Sequence, residues 1–351
     1  MKKFILVIVI INVSLLLLGG ALFGLGLCFG GKPNFSFNFS NKQLTEPVYV
    51  DDDFPLEDFS SMKIDVQMAK LYIEKANENR VEYHLMEELV PDVKVEDKTL
   101  YLIQENKKPL QINFINFNTE EQYIKIYVTE NQYAQINSSS GGIEIKNVNI
   151  DGIIESNSGG LSINGSEADS IDIKVSSGRT TLEYVKYNSI KTDQDSGKFV
   201  MSKCDAGTIN SRSTSGGVDF ENVTSDTIEV NVTSGGIHFT NVDAKSADLK
   251  ATSGSVSLQD CEITDLTGDS NSGGFKAEDT KIDTANLEVT SGGLHLDLIG
   301  DVKDYDFDLK VTSGSVNIND EKKGDGYTVE TGKDKYIKAK TTSGSININI
   351  H

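Results

Sequence analysis

The 351-residue chain has no tryptophan, five prolines, four histidines, three cysteines and three arginines. Few prolines and 31 glycines suit many short strands joined by tight turns. A formal net charge of −20, with so little arginine, excludes a nucleic-acid binder, because phosphate backbones demand Lys/Arg patches. The same charge argues against a protein that coats anionic lipid. The chain also lacks a Gly-rich nonapeptide calcium repeat, a phosphate loop and a nucleophile elbow.

What is present is a period. Ser-Gly pairs place glycines at Gly141, Gly159, Gly178, Gly197, Gly216, Gly235, Gly254, Gly273, Gly292, Gly314 and Gly344. The intervals are 18, seven of 19, 22 and 30 residues, which is the signature of a solenoid. Two and four residues after each glycine lie apolar columns, such as Val218 and Phe220 or Ile237 and Phe239. A third column, seven residues after it, reads Val148, Val185, Cys204, Val223, Val242, Cys261 and Ile299. Positions −7, −5 and −3 supply a second alternating strand, for example Ile228-Val230-Val232. This in-out alternation in a coil of about 19 residues predicts an all-β fold, a single-stranded right-handed parallel β-helix.

The first glycine of each motif is invariant within the chain, whereas the next position also holds Arg179, Lys198 and serines. The eleven glycines are therefore read as structural corners with a restricted backbone. Their preceding serines are read as bonding one another or the turn backbone. The final strand Ile346–Ile350 has no evident cap, so either residues 319–336 or another molecule covers it.

Register decides the chemistry. Cys204 and Cys261 lie three coils apart in one column, about 14 Å, too far for a disulfide. His238 and His295 share the same separation and cannot share a metal, while His84 and His351 stand outside the regular repeat. Glu183, Glu221, Glu278 and Asp297 are spread over separate coils rather than paired as sugar hydrolysis requires. Glu82, Glu87, Glu88, Asp92, Glu96 and Asp97 cluster earlier in the sequence, as a solvated face or a cation site. No catalytic, cofactor or metal residues are assigned, and the chain reads as a non-enzyme.

The amino-terminal residues carry a different signal. Met1-Lys2-Lys3 precedes an apolar run over residues 4–29, long enough to cross a hydrocarbon core of about 30 Å. The lysines keep the amino end cytoplasmic, so the remainder faces outward. Leu27 before Cys28 disfavours a lipoprotein signal. The expected organisation is a transmembrane anchor over 1–30, an extracytoplasmic linker over 31–57 with Phe35, Phe37 and Phe39, opening strands or a cap over 58–135, and the Ser-Gly repeat over 136–351.

With the Thr-Ser-Gly-Gly copies, the single anchor and the Met68–Glu74 lead-in together, the chain resembles the bacterial putative-adhesin family of β-strand repeats of unknown function, including LiaG-like membrane proteins. The resemblance implies an extracytoplasmic solenoid of the cell envelope, sometimes associated with envelope stress, and carries no catalytic residues. The expected role is adhesin-like binding or scaffolding, with a wall polymer, an envelope protein or a second copy as partner. A β-helix polysaccharide lyase or hydrolase, and a regulatory partner of a membrane stress sensor, are the alternatives.

Overall fold

The structure, a computed structural model, describes residues 48–104 and 120–351. The expected anchor, Cys28 and the three phenylalanines lie outside the described residues. Among the described residues, no helix is long and apolar enough to cross a membrane.

The coil Val218–Ser234 shows how the sequence builds the fold. Seven of its residues are buried: Val218 and Phe220, Val223 and Ser225, then Ile228, Val230 and Val232. Each pair or triplet alternates with outward residues, so the coil has three flat faces. The next coil repeats the positions 19 residues later, and the strands pair in parallel, Val218 with Ile237 and Val230 with Leu249. Each buried Val, Ile or Phe contributes about 1.5–3 kcal/mol, and stacking merges them into one continuous core. Phe199 meets Phe220 edge-on at 5.7 Å, and Phe220 stacks on Phe239 at 4.8 Å.

Two features differ from the sequence reading. A fourth inward column stands nine residues after the glycine, including Ile150, Tyr187, Ala206, Ser225, Ala244, Ile263 and Ile282. Small and polar members hide it in the sequence. Ile299, expected inside, is exposed. Here the ladder slips by one residue: Leu298 pairs with Thr280 and takes the inward place, and the chain then turns through Val302–Asp304.

At both ends, order in space departs from order in sequence. The first coil, Ser61–Val66 and Lys70–Lys75, lies between Gln132–Lys146 on one side and the strands Thr99–Ile103 and Tyr123–Val128 on the other. Antiparallel strands then cover those outer strands: Asp92–Glu96 on one face, Arg80–Met86 and Tyr49–Pro55 on another. The opposite end follows the same plan. Lys335–Ile350 is inserted between Thr284–Leu298 and Tyr305–Ile318. Ile346–Ile350 is therefore not an open edge. Residues 319–336 do fold over an end, but the end they cover is Tyr305–Ile318, through antiparallel strands Glu321–Gly324 and Gly326–Val329.

Candidate functional site

The corner glycines are packed against one another. A Cβ on any of the eleven would lie 2.5 Å or less from a carbonyl oxygen of the neighbouring coil. In ten cases that oxygen belongs to the neighbouring corner glycine, and for Gly141 it belongs to Ala69. Eight of them also have φ between 116° and 152°, which disfavours a side chain. Gly141, Gly254 and Gly273 are fixed by close approach alone. The serines before them make no side-chain hydrogen bond among the described residues. Instead, the buried residue at position −3 bonds the turn where it is polar. Ser138 donates to the Gly141 carbonyl at 2.8 Å, and Gln194 to that of Gly178 at 2.7 Å.

A second corner falls six residues after the glycine, in the left-handed region. It is occupied by Asn147, Gly165, Tyr184, Lys203, Asn222, Asn241, Asp260 and Asp279, with φ from 47° to 70°. Asn, Asp and Gly tolerate this conformation best, and they hold six of the eight positions. Asn241 donates to Asn222 at 2.6 Å across the coils.

The histidines and acids do not converge. His238 stands 3.4 Å from Asp219, and His351 stands 3.0 Å from Asp297. Among the described residues, no three His, Cys, Asp or Glu side chains are placed to hold a metal ion. Glu183 accepts a bond from Asn164 at 3.1 Å instead of facing another carboxylate. The early acidic cluster disperses: Glu87 and Glu88 lie in a short 3-10 turn, Glu96 pairs with Lys94, and Asp97 sits in a turn. Cys204 and Cys261 are buried and free, and burial pushes both thiols up from their ordinary pKa.

Glu82 belongs to a network on the outer strands. The hydroxyls of Tyr123 and Tyr127 each donate to it at 3.0 Å, and Lys125 lies 3.5 Å away. Burial opposes its charge, but these three partners together hold its carboxyl below the usual range. Arg80 covers the Tyr127 ring at 4.2 Å and Lys125 covers that of Tyr123 at 4.7 Å. These rings and charges satisfy one another, which leaves the network a structural seam.

Beside it lies a shallow, open depression of about 320 Å³, which sequence reasoning did not find. Successive coils place Lys70, Gly142, Gly160 and Arg179 side by side one residue after the corner. Missing side chains at Gly142 and Gly160 make the depression, with Lys70 and Arg179 at its two ends. The buried Ile143 and Leu161 and the partly exposed Glu144, Ser162 and Thr181 complete its lining. Glu144 is neutralised by Lys70 at 3.2 Å and by Lys146. The bond from Lys146 does most to keep its carboxyl below the usual range, against burial, and Lys70 adds to it.

Many surface cations elsewhere are answered by an acid, either one coil away, as Lys174 by Glu155 at 2.7 Å and Lys191 by Asp172 at 2.8 Å, or on the same strand, as Lys250 by Asp248 at 2.7 Å. Arg179 is exposed and has no acid partner among the described residues. Hydroxyls, apolar side chains and an unanswered guanidinium can hold an anionic group borne on a hydroxylated chain. No set of groups for acid–base or nucleophilic chemistry meets there.

These features define a parallel β-solenoid with glycine-stacked corners, closed ends and laterally displayed polar faces. The chain belongs to the Toastrack DUF4097 family, whose model matches residues 59–191 and again 181–349. Each match contains one of the two inserted coils. Among solved structures, the chain is similar to a putative adhesin from Parabacteroides distasonis, with 13% identity, 72% of this chain and 98% of that one covered, and a TM-score of 0.43. It is also similar to a putative lipid binding protein from the same species, at 14% identity, 86% and 97% coverage and a TM-score of 0.39. A putative adhesin from Bacteroides fragilis matches at 15% identity, 87% and 97% coverage and a TM-score of 0.31. No curated protein matches the chain.

Proposed function

We propose that this protein is a non-catalytic, adhesin-like binding element of the bacterial envelope, and that the depression between Lys70 and Arg179 contacts an anionic envelope polymer. The observation that carries the reading is Arg179: an exposed guanidinium without an acid partner, at the end of a depression lined by Ser162 and Thr181. In a chain of net charge −20, such a local cationic opening is where a polyanion would meet least repulsion. In this reading residues 4–29 form a single transmembrane anchor with the amino end cytoplasmic. Of the linker expected over 31–57, the strand Tyr49–Pro55 belongs to the folded end, and the residues before it lift a right-handed solenoid, the usual hand of parallel crossovers, away from the membrane. A place in the envelope-stress response belongs to the same proposal, and exchanging residues 1–30 for an unrelated anchor tests it.

The experiment is binding of the full chain, in detergent micelles, to a polyol-phosphate polymer, a polyuronate and a neutral glucan. Binding to one of the anionic polymers, weakened by Arg179→Ala and by salt, supports the reading. Equal binding to the neutral glucan, or none to any polymer, overturns it. Release of reducing ends from any of them would establish an enzyme instead.

A further inference from the structure

The coil Lys335–Ile350 occupies a seat whose two walls both come from residues 284–318. On one side Tyr336–Ser343 pairs with Thr284–Ser291, and Ile346–Ile350 pairs with Leu294–Leu298. On the other, Lys335–Ser343 pairs with Tyr305–Ser313, and Ile346–Ile348 pairs with Val316–Ile318. Ile337, Ala339, Ile346 and Ile348 fill the seat and are almost wholly buried. To reach it, the chain leaves the wall at Ile318, doubles back through Glu321–Gly324 and Gly326–Val329, and crosses the start of the wall strand within residues 330–334.

That crossing is pinned at one point. Asp306, the second residue of the wall strand, is 5% exposed. Its carboxylate accepts from the Thr331 amide at 2.8 Å, the Thr331 hydroxyl at 2.7 Å, the Gly332 amide at 2.8 Å and the Lys333 amide at 3.0 Å. A charged group at an otherwise apolar strand start, accepting four bonds from three consecutive linker residues, fixes where the linker goes.

We propose that Asp306 is a latch that keeps the coil Lys335–Ile350 in its own chain, and that opening the latch lets the same coil of a second copy take the seat. The ladder bonds and apolar slots are identical whichever copy supplies the coil, so the two arrangements differ chiefly in the linker and in the entropy of association. End-on stacking offers no comparable route. The outer sides of Tyr305–Ser313 and Val316–Ile318 are already taken by antiparallel strands, and the short edge they leave carries Glu321, Lys322 and Lys323. Self-association at this end therefore runs through coil exchange. This inference does not depend on the depression beside Arg179.

The test uses register. Lys310 and Lys340 are direct partners in the parallel ladder, and both are exposed. Their Cα atoms fall at the ladder spacing of about 4.8 Å, within reach of a disulfide. In the full chain carrying Cys28→Ser, Lys310→Cys together with Lys340→Cys should close an internal disulfide in the monomer; failure to close contradicts the seat. Copies carrying Lys310→Cys are then mixed with copies carrying Lys340→Cys, held under native conditions and oxidised. With Asp306 intact and the two copies at equal concentration, the mixed covalent dimer should not exceed twice the 310–310 product, the ratio random collision gives. With Asp306→Asn it should rise on the order of tenfold, as loss of charge-assisted bonds would give. Should Asp306→Asn fail to fold, Thr331→Ala removes a single bond and should move the mixed dimer in the same direction by less. A mixed dimer no more than twice as abundant as the 310–310 product in the folded variants overturns the latch.

Discussion

A methyl group on Gly292 would fall on the carbonyl oxygen of Gly273, yet one on Gly293, the next residue, would come no nearer than 3.8 Å to its closest neighbour, the carbonyl of Ser345. The two glycines of one motif thus have different standing. Gly292→Ala must distort the corner, at φ 149°, costing roughly 1–3 kcal/mol for the backbone alone. Gly293→Ala should stay within about 0.5 kcal/mol of the parent. Paired urea melts of the two variants check this, and equal destabilisation would remove the stacked-corner explanation.

Asp306 sets an acid limit on the carboxyl-side end. Burial works against its charge, but the Lys333 amide, the Thr331 hydroxyl and amide and the Gly332 amide hold its pKa down at about 2, below the ordinary aspartate range. A depressed folded-state pKa means the bonding is present at neutral pH and is lost as pH falls from near 4 towards 2. Hydrogen exchange at Lys335–Ile350 should rise across that window. In Asp306→Asn it should already be raised at neutral pH and gain little more from acid.

The Phe199–Phe220–Phe239 column lies at the middle of the core. Phe220→Ala should cost about 3–5 kcal/mol through lost burial and a residual cavity. Because neighbouring coils support one another, the loss should spread, and protection should fall first in the coils on either side of Gly216.

Cys204 and Cys261 are both buried, with thiols pushed up by that burial. In the native Cys28→Ser chain neither should react with a thiol reagent at neutral pH within the time that denatured chain reacts fully. Rapid labelling of either would mean that the coil opens.

The repeat was legible because each corner glycine has the same job, and stacking forbids variation. Alternation then gave the columns at positions +2, +4, −7, −5 and −3. What escaped notice has physical reasons. The column at +9 mixes Tyr187, Ala206 and Ser225, so burial there is by geometry and not by hydrophobicity. The left-handed corner at +6 includes Tyr184 and Lys203, which mask its Asn and Asp majority. The inserted coils at both ends carry the same pattern as every other coil, so periodicity gives strand identity without spatial order. The depression arises from two absent side chains, at Gly142 and Gly160, and becomes a candidate site through neighbours one and two coils away.

The central claim is that one cationic depression on an acidic solenoid makes a specific contact. The most direct measurement is the affinity of the full chain for an anionic envelope polymer, parent against Arg179→Ala, across a salt series. The parent should bind, its affinity should fall with salt, and Arg179→Ala should lose about 1.5–3 kcal/mol, the value of a charged hydrogen bond. Unchanged affinity in Arg179→Ala, with both proteins equally folded, would contradict the claim.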